Sequence, residues 1–204
     1  RTHGVEITEK RMVVDGRPII RRTYSTPVGS VYEDEYREPG TGQWHGMRSW
    51  KDVSPWLTSR IIKGPEDYKV AKYIVENTEY EADYFPVEQA MDWLGDEGVV
   101  LGALPHSPMQ TMMITWIGSE EGRVFYHMQD YPDLVDELYQ AMCKSYEPLY
   151  QIAAHCPATV IFCGDNIDGY LVTPRIFRKY HMPVYEQQGA ILHQHGKLML
   201  NHMD

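Results

Sequence analysis

The residues of this chain best suited to chemistry lie in its last third. His202 and Asp204 stand two positions apart, just after the apolar run 198–200. Alternate residues of a β-strand project from one face, so this imidazole and carboxylate can reach a common ion or substrate. The pair suits zinc and other divalent metals. It suits equally a substrate held by hydrogen bonds with no ion at all. A second group, Asp165, Asn166, Asp168 and Tyr170, follows the β-rich run 159–162. Two carboxylates, an amide and a phenol at a strand end can hold a polar ligand or move a proton. Asp165 and Asn166 are the expected catalytic members of this group, joined by His202, and Tyr170 is an expected substrate contact. The competing expectation is an Asx-turn, in which such side chains bond their own backbone. His106, in the Gly- and Pro-bearing loop 102–108, is a third candidate, for substrate binding rather than simple exposure. Trp44 is a fourth, in the polar stretch 38–55 beside His45 and Trp50, where the alternative is that these aromatics anchor the loop. Cys163, next to Asp165, is either a reactive thiol or a buried structural cysteine. His193 and His195 fall near a helix end, where a positive imidazolium is favourable. At i, i+2 they do not share a helix face, so no paired metal site is expected between them.

Short strands alternating with long helices must position these groups. Val13-Val14 and Ile19-Ile20 flank Asp15-Gly16, a strong hairpin signal, and Pro27 and Gly29 mark the next turn. Residues 11–37 therefore read as an antiparallel ribbon outside any parallel sheet. A helix is expected from Pro65 to about residue 80, with Glu66 and Asp67 at its positive end, and a short one after Pro86. Residues 99–101 read as a buried strand and 109–117 as an apolar helix. Pro132 opens a long amphipathic helix to about residue 155, with Leu134, Leu138, Met142 and Tyr146 a turn apart and Pro148 as an expected kink. After strand 159–162, Pro174 opens a helix that Gly196 closes, and 198–200 is the last strand. This alternation predicts a parallel α/β arrangement. Periodicity alone does not separate a closed barrel from an open sheet.

The 204 residues suffice for one domain with a sizeable core. A hydrophobic fraction of 43% and a charged fraction of 24% are ordinary for a globular protein. The net charge of −10 argues against nucleic acid and anionic membrane as partners. Three cysteines without a C-x-x-C pair point to a reducing, cytoplasmic setting. No run approaches the roughly 20 apolar residues of a membrane helix. The start at Arg1 and the stop at Asp204 are expected to mark a fragment of a larger protein.

One resemblance runs through these features. Gly164-Asp165-Asn166, Thr173-Pro174, Phe177, Lys179-Tyr180, Pro183, His195-Gly196-Lys197 and His202 resemble the uroporphyrinogen decarboxylase superfamily, most closely its corrinoid-dependent methyltransferase branch. Weaker likeness extends to residues 26–30 and 63–67. The resemblance implies a (β/α)8 TIM barrel, present in part: a single domain over 1–204, with a ribbon and loop at 1–60 and barrel units over 61–204. It implies methyl transfer between a small methylated donor, a methoxy compound among the options, and a cobalt corrinoid on a partner protein. It also implies zinc held by His202, with Asp204 standing where such relatives carry cysteine. An oxygen leaving group suits that change better than a thiol. The alternatives are decarboxylation of a tetrapyrrole acid and a barrel-shaped binding module without chemistry. Ile114 stands where the decarboxylases carry a substrate-contacting tyrosine, which favours the methyltransferase.

Overall fold

The computed structural model describes residues 1–36 and 56–202. It is a mixed α/β structure in which the described strands form two sheets, one antiparallel and one parallel.

The antiparallel sheet runs β1 (Glu6–Val14), β2 (Arg17–Thr26), β3 (Gly29–Tyr36) and β4 (Trp56–Ser59), in that order. Asp15 and Gly16 both take positive φ, 50° and 76°, which is the two-residue turn that matches strand twist. The ribbon begins at Glu6, earlier than its hydrophobic pattern. The first half of β1 faces water and is held by its ladder to β2, where Glu6 lies opposite Ser25. Such a strand carries no apolar alternation to read. Between β2 and β3, Arg21 lies opposite Asp34 and Arg22 opposite Glu33, so the register itself sets unlike charges side by side.

The parallel sheet orders β5 (Leu101–Leu104), β6 (Val160–Cys163) and β7 (Leu198–Asn201) consecutively. Before it come α1 (Asp67–Glu76) and α2 (Phe85–Leu94). Between β5 and β6 lie α3 (Pro108–Thr111), α4 (Arg123–Asp130) and the long α5 (Pro132–Ala154). Between β6 and β7 lie α6 (Pro174–Ile176) and α7 (Met182–Gln194). α5 packs on β5, α7 on β7, and the two helices on each other, so both cover one face of the sheet. Gly102, Leu104, Ile161 and Cys163 are buried on that face. An added Cβ at Gly102 would lie 2.6 Å from Ile161 Cδ1, so any side chain there would force Ile161 to move. The opposite face leaves Leu101, Leu198 and Leu200 exposed. These three parallel strands do not by themselves close a barrel.

α5 continues through Pro148, where a kink was the expectation. Pro148 and Lys144, whose carbonyl loses its intrahelical donor, both lie on the exposed side, where water can take that carbonyl. α3 and α6 each pass into a π-helical turn, Met112–Trp116 and Phe177–His181. α7 ends as its sequence predicts. Gly196 has φ +69°, its N–H donates to His193 O, and the Lys197 N–H donates to Leu192 O, which is a Schellman closure. Lys197 then bonds the carbonyls of Cys156 and Ala158 beyond α5. The His-Gly-Lys triplet thus ends one helix and clamps the exit of another. Among the described residues, no helix is long and apolar enough to cross a membrane.

Candidate functional site

The C-terminal ends of β5, β6 and β7 lie side by side, and the chemistry-bearing residues follow each of them. His106 and Ser107 follow β5, Asp165 and Asn166 follow β6, and His202 follows β7. The His202 N–H donates to Cys163 O at 3.2 Å, so β7 stays paired to β6 up to that point. In parallel α/β architectures this edge is where sites are built.

Asp165 organises the edge. Its carboxylate is fully buried. Oδ1 accepts the Ser107 N–H at 2.8 Å, and Oδ2 accepts the Tyr185 hydroxyl at 2.7 Å. His106 Nδ1 lies 3.5 Å from Oδ1, and His181 Nδ1 lies 3.8 Å from Oδ2. Burial alone would raise the carboxyl pKa. The donors from His106, His181, Ser107 and Tyr185 outweigh it and hold Asp165 well below the ordinary carboxylate range. Asp165 is therefore an anion at neutral pH, surrounded by hydroxyl, amide and imidazole, with no Arg or Lys paired to it among the described residues. Its neighbours respond in kind. Burial, then the Asp165 charge, pushes the Tyr185 phenol up. The same two causes push the Cys163 thiol up to about 12, so it stays a thiol. Of the two readings of Cys163, the structure supports the buried structural one.

His106 is the half-open member of this group. Its Nδ1 is buried beside Asp165 without making a hydrogen bond, while the side chain as a whole is 37% exposed. The carboxylate favours the Nδ1–H tautomer and leaves Nε2 as the working nitrogen. A separation of 3.5 Å is longer than a good hydrogen bond, and such contacts commonly tighten only when substrate binds. His181 differs. It is fully buried, shares Nδ1 with Ser107 Oγ at 3.3 Å, and has a buried Nε2 with no hydrogen-bond partner.

The other sequence candidates divide. Asn166 adjoins the site through its backbone carbonyl, which accepts from Gln110 Nε2 at 3.2 Å. Asp168 forms the Asx-turn: its Oδ1 accepts the N–H groups of Tyr170 and Leu171 at 2.6 and 2.8 Å. Tyr170 rides that turn with its side chain 93% exposed. His202 is exposed and shares strand parity with Leu198 and Leu200, on the face opposite α7. Asp204 and Trp44, with His45 and Trp50, lie outside the described residues. Among the described residues, no group of three or more His, Cys, Asp or Glu side chains could hold a metal ion.

Ser107, His181 and Tyr185 went unread as site residues. A signal for two of them exists. Phe177, His181 and Tyr185 recur every four residues, and their rings form one cluster: Phe177 and His181 lie 7° from parallel, and Tyr185 meets both at an angle. An aromatic stripe that carries a histidine and a phenol can deliver both to one carboxylate. No family model, curated protein or solved structure matches this chain.

Proposed function

We propose that this chain is part of a (β/α)8 barrel of the uroporphyrinogen decarboxylase superfamily and serves in corrinoid-dependent methyl transfer from a small methoxy donor. The observation that carries the chemistry is the His106–Asp165 pair at the C-terminal edge of the parallel strands. Support for the barrel comes from the sheet. Its strands advance in order without reversal, helices cover one face, and the other face is apolar and bare. α2 is equally uncovered, with Phe85 65%, Met91 40% and Trp93 85% exposed. Further β/α units would bury both surfaces.

A methoxy oxygen leaves poorly as an anion and needs a proton as its bond to carbon breaks. His106 Nε2 can supply it. Asp165, beside the other ring nitrogen, holds the ring's orientation and tautomer. The oxygen takes the proton, and the methyl group passes to a cobalt corrinoid carried on a partner protein, which supplies the nucleophile. His202 lies at the same edge and is exposed enough to meet donor or partner. His202 alone among the described residues does not make a zinc site, and no step here runs through a metal.

Cobalt methylation changes the visible spectrum of a reduced corrinoid, so a panel of methoxy compounds can be screened directly with the purified protein. We expect methylation by the wild type, and a loss of about 10²-fold or more in His106→Gln. Asp165→Ala and Asn166→Ala should also slow it. Carbon dioxide released from uroporphyrinogen, with no corrinoid methylated by any donor, would overturn this reading in favour of decarboxylation.

A further inference from the structure

His155 and His195 occupy equivalent places in the fold. Each is the C-cap residue of a helix, α5 and α7 respectively, and those helices pack together. Each turns its Nδ1 back to the carbonyl four residues earlier: His155 to Gln151 O at 2.7 Å, His195 to Ile191 O at 2.9 Å. A carbonyl only accepts, so both Nδ1 atoms must carry the hydrogen. In the neutral rings both Nε2 atoms then present lone pairs. The two ring centroids are 4.9 Å apart and the planes are inclined at 60°. Both side chains are exposed.

We propose that His155 and His195 form a divalent-metal site that joins the C-terminal ends of α5 and α7 through their Nε2 atoms. Three observations on these residues converge. Metal-bound histidines usually donate their other ring nitrogen to a carbonyl or carboxylate, which fixes the tautomer, and both rings do so here. Two imidazoles on one tetrahedral ion, at Zn–N of about 2.0–2.1 Å, set their centroids about 5 Å apart, close to the observed spacing. Two helix C-termini also meet at this point, and their dipoles favour a cation. The charged neighbour, Lys197, is already engaged with the carbonyls of Cys156 and Ala158. Imidazole donors select zinc, nickel or copper over magnesium and calcium, and water completes the shell at an exposed pair. The site lies at the N-terminal ends of β6 and β7, on the opposite edge from Asp165, so it is independent of the proposed methyl transfer. It is consistent with the expectation that His193 and His195 form no metal pair. The partner of His195 is not His193 along the helix but His155 across the helix pair.

The test uses the untagged protein, titrated calorimetrically with zinc chloride and nickel chloride. Asparagine places an amide N–H where Nδ1 stands and offers no ring nitrogen, so His155→Asn and His195→Asn remove the ligand while keeping the cap. We expect each to weaken one binding event by about tenfold or more, and the double variant to abolish it. His193→Gln should leave that event unchanged, and so should His202→Gln, which removes any ion bound at the other edge. Zinc should raise the melting temperature of the wild type but not of the double variant, by mass action on the folded state. Unchanged titrations in the double variant would overturn the proposal. So would loss of the sole binding event in His202→Gln or His193→Gln.

Discussion

Two buried carboxylates, Asp34 in the antiparallel sheet and Asp165 after β6, are treated in opposite ways. Asp34, on the antiparallel ribbon, receives Arg21 through two parallel hydrogen bonds of 2.7 Å, and the guanidinium lies over the Tyr32 ring at 4.0 Å. Lys63 covers the same ring at 3.7 Å. That carboxylate is neutralised on the spot, by a residue the strand register places directly opposite it. Asp165, beyond β6, meets a backbone N–H, a phenol and two imidazoles. None of these is a permanent cation, so its charge is held in place by hydrogen bonds but not cancelled. An anion of this kind acts on whatever proton carrier stands next to it, and His106 stands there. The contrast separates a carboxylate that builds a sheet from one that can serve chemistry.

The largest expected effect comes from breaking the second arrangement. Asp165→Ala strands the Ser107 N–H and the Tyr185 hydroxyl in a buried place, each costing about 1–3 kcal/mol, so a total loss of roughly 3–5 kcal/mol is expected in urea unfolding. The pH dependence follows from the sign of the shift. The folded-state pKa of Asp165 is depressed below its unfolded value near 3.9, so its stabilisation is fully present above that value. It is lost as pH falls toward the depressed folded value. The stability gap between wild type and Asp165→Ala should therefore hold from pH 7 to about 5 and narrow on further acidification. A gap independent of pH down to the onset of acid unfolding would show that the carboxylate contributes no charge-dependent stability.

A smaller effect sharpens the same point. Tyr185→Phe removes one donor at 2.7 Å and leaves the ring packed edge-on to Phe177 and tilted against His181. The expected cost is about 1 kcal/mol, read from the shift in urea midpoint. With one donor fewer, Asp165 leans more on its imidazoles. The Nδ1–H tautomer of His106, read from imidazole nitrogen chemical shifts, should persist in Tyr185→Phe and be lost in Asp165→Asn. A tautomer unaffected by Asp165→Asn would remove the positioning role from the carboxylate.

The sequence showed the parallel half of the molecule better than it showed the site. Strands β6 and β7, the long α5 and the Gly196 closure are local events, set by short apolar runs, apolar spacing and one left-handed residue. The Asp15-Gly16 hairpin was legible for the same reason. That α5 continues through Pro148 depends on which side of the helix faces water, and that is decided by packing against α1 and α7. At the site, Asp165 and His106 could be singled out as types in loops. Nothing in their spacing said that a loop 58 residues away would donate to the same oxygen. The contributions of Ser107, His181 and Tyr185 exist only once β5, β6 and α7 are brought together. The π-helical turn Phe177–His181 lies in the stretch that aims two of them, and it lacks a recognised sequence mark.

The smallest effect is expected on the ribbon. Arg21 keeps 32% of its side chain exposed and Asp34 keeps 11%, so their attraction is partly screened by solvent. Cross-strand pairing, bidentate geometry and the Tyr32 ring favour the contact, but ordering a long arginine side chain opposes it. A double-mutant cycle with Arg21→Ala and Asp34→Ala should give a coupling of roughly 1 kcal/mol or less, reduced further at high salt. The equivalent cycle between Asp165→Ala and Tyr185→Phe should give a larger coupling that salt barely changes, because both groups are shielded from ions. If the ribbon pair proved the stronger and the less salt-sensitive of the two, the contrast between a cancelled and a directed charge would fail. Asp165 would then be no more than another well-packed structural anion.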